Sequence, residues 1–145
     1  MRRLHLSLAS VLVAGLLVAC TGDPGSSTAA STAAQDDVCA AYTDITDSYD
    51  AFQALDPASA SIEEYQAAAE EVLDALDAYL TLRGAEAAQT EYQLRVTLSQ
   101  LAVSLRAASG QMTIEEAIEE SQPEIEAAQA AIDSIGTDSG CVEGG

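Results

Sequence analysis

The sequence predicts an all-α protein built as an antiparallel up-down four-helix bundle. Two observations carry this. Large apolar residues from Val38 to Ile135 recur at steps of three and four, the spacing of one helical face. Two segments, Ser61-Ile62-Glu63-Glu64 and Thr113-Ile114-Glu115-Glu116, read as capping boxes that open helices. The region 38–141 is long enough for one hydrophobic core and too short for two domains.

The first helix is expected from Val38, with Val38, Tyr42, Ile45, Tyr49 and Phe52 on one stripe. It ends at Leu55-Asp56-Pro57, because a residue before proline avoids the helical region. The second helix starts at the Ser61 cap and carries Ile62, Tyr65, Ala69, Val72, Leu76 and Tyr79, widened by Leu73 and Leu80. Gly84 then offers a C-terminal stop. A third helix is expected over about 85–109, with Leu94, Leu98, Leu101, Leu105 and Ala108 inward and Gly110 after it. Within it, Tyr92, Leu94, Val96 and Leu98 alternate like a strand, but alanine-rich helical sequence flanks them and no partner strand exists. The fourth helix starts at the Thr113 cap and carries Ile114, Ile118, Ser121, Ile125, Ala128, Ile132 and Ile135, with Gly136 expected to end it. Pro123 falls inside it and should kink or split it.

The N-terminus is of another kind. Arg2 and Arg3 precede an almost wholly apolar run, Leu4 to Ala19, that is too short for a comfortable membrane span. The run closes on Leu17-Val18-Ala19-Cys20. This tetrapeptide resembles the bacterial lipobox, in which the cysteine thiol receives a diacylglycerol and the peptide is cut just before it. The resemblance implies a signal peptide over 1–19 and a mature chain starting at a lipidated Cys20. That chain would sit on the extracytoplasmic face of the cell membrane, where two acyl chains suffice for stable anchoring. The Arg2-Arg3 pair suits a general secretory signal and also opens a twin-arginine motif whose other positions are poor here. Residues 20–37 are expected to form a flexible Ser/Thr/Ala/Gly linker, 38–141 the helical domain and 142–145 a short tail. The 17 residues from Thr21 to Asp37 would reach roughly 20–25 Å root-mean-square as a random tether.

With Cys20 taken by lipid, Cys39 and Cys141 remain at the two ends of the helical region. An extracytoplasmic compartment favours their pairing. An even number of alternating helices returns the chain to its starting end, so the bundle is expected to be tied by a terminal Cys39–Cys141 disulfide.

Composition excludes several functions. The chain has 24 acids, 5 arginines, no lysine and a net charge of −19; without Arg2 and Arg3 the balance is 3 − 24, or −21. Nucleic-acid binding needs a basic footprint and is not expected. The one histidine, His5, leaves with the signal, so the mature domain has no imidazole for acid–base work or metal binding. No glycine-rich phosphate loop or nucleophile elbow occurs. The chain reads as non-catalytic, with no metal centre and no cofactor beyond the diacylglycerol on Cys20.

Two regions are candidates for recognition. The end of the bundle away from the disulfide gathers Asp50, Asp56, Glu63, Glu64, Glu115, Glu116, Glu119 and Glu120, with only Arg106 near. Glu63, Glu64, Glu115, Glu116, Glu119 and Glu120 form the candidate acidic tip for a cation or a basic partner, although acids in a first turn also serve the helix dipole. The tyrosines Tyr42, Tyr49, Tyr65, Tyr79 and Tyr92 sit mostly on inward stripes, as core residues or as the lining of an apolar cavity.

The lipobox, the linker, the helix start Asp37-Val38-Cys39-Ala40-Ala41-Tyr42 and the late cysteine together resemble the small secreted lipoproteins of actinobacteria. The resemblance implies location and architecture. The expected role is a membrane-anchored binding or adaptor module of the cell envelope, with a protein partner. The alternatives are a solute- or cation-binding lipoprotein, using an inter-helix pocket or the acidic tip, and a passive spacer.

Overall fold

The structure, a computed structural model, describes residues 24–142; the side chains of 24–31 and 33 are outside that description. The expected signal peptide 1–19, Cys20 and residues 143–145 lie outside the described residues. The rest is a bundle-like, all-helical assembly: α1 (Pro24–Gln53), α2 (Ile62–Arg83), a 3-10 turn (Gly84–Glu86), α3 (Gln89–Ala108), α4 (Ile114–Glu120) and α5 (Gln122–Ser139). No strand occurs among the described residues, and the alternating stretch from Tyr92 to Leu98 lies wholly in α3.

Helix α1 starts 14 residues before Val38, so residues 24–37 of the expected linker are helical. Pro24 stands at the first helical position, where its missing N–H costs nothing, and alanine, the best helix former, recurs through the segment. The α3 start is later than expected, at Gln89, because Gly84 leaves α2 at a φ of 54° and a 3-10 turn intervenes. Both capping boxes form. Ser61 Oγ accepts from the Glu64 N–H while the Ser61 N–H donates to the Glu64 carboxylate at 2.7 Å, and Thr113 with Glu116 repeats the pattern. The last helical segment is split at Ser121, with Pro123 in the first turn of α5.

Gly136 does not end α5. It is a buried residue inside the helix, which runs on to Ser139. The stop is Gly140, at a φ of 73°. The Gly140 N–H donates to Thr137 O and the Cys141 N–H to Gly136 O, the paired bonds of a Schellman motif. That turn delivers Cys141 to Cys39, and the two are disulfide-bonded with 5.1 Å between their Cα atoms. Gln35 of α1 donates to Ser139 O at 2.8 Å beside the bridge.

The core is drawn mainly from the expected stripes, with Val38, Ile62, Ile114 and Ile118 only partly buried at its margin. Ile45, Tyr49 and Phe52 of α1 meet Val72, Leu76 and Tyr79 of α2, Leu94, Leu98, Leu101 and Leu105 of α3, and Ile132 and Ile135 of α5. Burying each large aliphatic side chain contributes about 1.5–3 kcal/mol. Helix α1 packs on α2 and α5, and α3 on α2, α4 and α5. All three arginines of the described residues join α2 to α3: Arg83 to Glu91, Arg95 to Asp77 at 3.1 Å and Arg106 to Glu70 at 3.4 Å. The last two are exposed pairs, each worth at most about 1 kcal/mol.

Candidate functional site

Four of the five tyrosines are core residues. Tyr49 stacks on Phe52 with ring centroids 6.0 Å apart, and Phe52 meets Tyr65 edge-on at 5.6 Å. Tyr49 donates to Ile125 O and Tyr65 to Leu55 O, so each polar handle is used inside the protein. Burial pushes the hydroxyls of Tyr42, Tyr49, Tyr65 and Tyr79 above their ordinary value. The fifth, Tyr92, is 51% exposed on the outer face of α3.

The six acids of the expected tip are all exposed. Glu64 and Glu116 are committed to the capping boxes, where the N–H groups of Ser61 and Thr113 hold their carboxyls below the ordinary value. Asp56 is likewise occupied, accepting from the Ala58 N–H and the Ser59 hydroxyl in the turn before α2. Arg106, expected beside the tip, is paired with Glu70. Among the described residues no three acidic, histidine or cysteine side chains gather in a way that could hold a metal ion. Of the tip, Glu120 lines a cleft.

That cleft, of about 370 Å³, lies between the end of α3 and the α4–α5 break. Its polar lining is Ser104, Gln111, Glu120, Ser121 and Glu124, with no basic residue. Ser121 occupies an inward stripe position, as expected, and is only 4% exposed. Its hydroxyl caps no helix N–H. Glu124 stands in the first turn of α5, where the helix dipole favours a carboxylate, but its Oε2 is buried with no hydrogen-bond partner.

The outer face of α3 is a second feature. No aspartate or glutamate occurs from Tyr92 to Ile114, although the chain holds 24 acids. Tyr92, Val96 and Val103 stand on this face, and the two valines are 48% and 61% exposed. Val96, Ser99, Gln100 and Val103 line a shallow depression along it, bordered by Arg95. The signal was present in the sequence as the missing acids and as apolar residues opposite the Leu94–Leu105 stripe.

At the other end of α3, Glu91 is 3% exposed and faces Arg83 at 3.5 Å. Glu91 Oε2 and Arg83 Nε are buried without a hydrogen-bond partner. The charges of Arg83 and Glu91 act on Tyr79 in opposite directions.

Comparison with protein-family models, with curated proteins and with solved structures finds no match to this chain. Among the described residues no helix is long and apolar enough to cross a membrane.

Proposed function

We propose that this chain is a lipid-anchored, extracytoplasmic helical-bundle protein that acts without catalysis, as a binding or adaptor module of the cell envelope. The anchor is the diacylglycerol expected on Cys20. The bundle is of the antiparallel up-down type, with α4 and α5 together as its fourth member. Two series of contacts support that arrangement. Along α2, Glu70, Asp77 and Arg83 meet Arg106, Arg95 and Glu91 in descending order. Along α1, Gln35 and Tyr49 meet Ser139 and Ile125, again in descending order.

The observation that carries the adaptor reading is the outer face of α3. It is apolar and acid-free on an otherwise strongly anionic chain. A partner approaching elsewhere must desolvate carboxylates, whereas this face offers Tyr92, Val96 and Val103, and aromatic and apolar anchors dominate interfaces. The partner is therefore an envelope protein presenting an uncharged, apolar surface.

Photo-cross-linking from position 99, with the full chain in its own membrane, tests this. A single adduct is expected, lost on Val96→Asp or Val103→Asp and retained on Glu63→Gln. An adduct indifferent to both valine changes overturns the reading. Labelling with a fatty-acid analogue tests the anchor: label is expected on the native chain and absent from Cys20→Ser.

A second reading, a solute- or cation-binding lipoprotein, is favoured by the cleft at the α4–α5 break, with its two carboxylates and the buried, unpartnered Glu124 Oε2.

A further inference from the structure

We propose that the cleft between α3 and the α4–α5 break binds a small organic cation, an ammonium group carried on an apolar body. This assignment rests on the solute-binding reading above and names its ligand class.

The argument begins with unmet hydrogen bonds. A buried polar group left without a partner is costly, because it has given up water and gained nothing in return. One such group belongs to this cleft: Glu124 Oε2 is buried and unpartnered. Beside it in the lining stands Ser121, 4% exposed, whose hydroxyl caps no helix N–H. A further group, the Glu120 carboxylate, stands at the C-terminal end of α4, where the dipole disfavours negative charge and the last turn holds no basic residue. Glu120 and Glu124 line the same cleft from either side of the break at Ser121. The cleft thus presents acceptors and negative charge, with no cation of its own.

The rest of the lining fixes the ligand class. Ala107, Ala108, Met112 and Ala117 give the cleft an apolar side. A hard divalent cation takes six or more oxygen ligands and keeps water where the protein supplies none. Two carboxylates beside an alanine and methionine wall suit an ammonium better, because its three donors meet the acceptors while its carbon body covers the wall. The volume of about 370 Å³ lies within the range of small-molecule sites.

The test uses the full chain in detergent and titrates three probes by calorimetry and amide chemical shifts: 2-phenylethylammonium, the uncharged 2-phenylethanol, and calcium chloride. The expected result is saturable one-to-one binding of the ammonium, with shifts centred on residues 104–124. The alcohol should bind at least ten-fold more weakly. Glu120→Gln and Glu124→Gln should each weaken the ammonium on the order of ten-fold, a difference of about 1.4 kcal/mol. Ala107→Leu, which fills the cleft from an exposed helical position and leaves the charges intact, should weaken it as much; it decides the matter if either glutamine variant fails to fold. Equal binding of alcohol and ammonium, both lost in Ala107→Leu, overturns the ammonium assignment and leaves the solute-binding reading standing. Calcium binding that displaces the ammonium also overturns it. If no probe binds, both fall.

Discussion

The Tyr42 hydroxyl packs against the Cα of Gly136, so closely that a Cβ there would overlap both Oη and Cζ of the tyrosine and press on Val142. A glycine in mid-helix is ordinarily a cost of about 1 kcal/mol relative to alanine. Here it admits a buried aromatic ring between α1 and α5.

Gly136→Ala should therefore destabilise the protein despite its better helix propensity. Overpacking of about 1–3 kcal/mol outweighs the propensity gain, giving a Tm lower by about 5 °C. Tyr42→Phe in the same chain should restore part of the loss, since the ring carbon still overlaps. Differential scanning calorimetry of the three variants checks this; an unchanged Tm for Gly136→Ala would show that the ring can move aside freely.

The disulfide spans 102 residues of sequence. The chain-entropy account gives a bridge of that span about 4–5 kcal/mol. Cys39→Ser with Cys141→Ser should lower the denaturation midpoint substantially while leaving helical circular dichroism in dilute buffer largely intact. Equal midpoints with and without reductant would contradict the expected contribution.

The Arg83–Glu91 pair should respond asymmetrically. Glu91 is more deeply buried than Arg83, whose side chain is 18% exposed. Arg83→Ala strands a buried carboxylate and should cost about 3–5 kcal/mol; Glu91→Ala leaves a guanidinium nearer solvent and should cost less. Replacing both, Arg83→Met with Glu91→Leu, should recover most of the loss. Urea midpoints for the single and double variants give the coupling.

Acid should act through the caps. Glu64 and Glu116 have folded-state values below the ordinary 4.5, so their contribution is present above that value and is lost as pH falls through the lowered one. Tm should fall below about pH 4.5, and Glu64→Gln with Glu116→Gln should flatten that part of the profile. Identical acid limbs in the two proteins would place the loss in other carboxylates.

The helices and the core were legible because burial repeats at three and four residues, and Ile45, Leu76, Leu98 and Ile132 obey that period. Both caps were legible because their geometry is local to four residues. Glu91 was not, since a glutamate is normally read as solvent-facing; yet it lies three residues before Leu94 on the same stripe, and a burial partner eight residues upstream is the clue. The early start of α1 was hidden by polar, small side chains that bury nothing and still favour helix. The cleft at Ser121 was hidden for a different reason: Pro123 marks the break, but the cleft also needs residues of α3 brought against it by the tertiary fold.

The Cys39–Cys141 bridge also sets how the molecule bears tension. A pull that enters through the residues before Cys39 and leaves after Cys141 travels through one covalent link, bypassing the chain between them. The helices from Ala40 to Gly140 are a side loop to that path, not a series element. Stretching the chain between its ends thus works on the flanking segments first, and the core is spared until the sulfur–sulfur bond is cut.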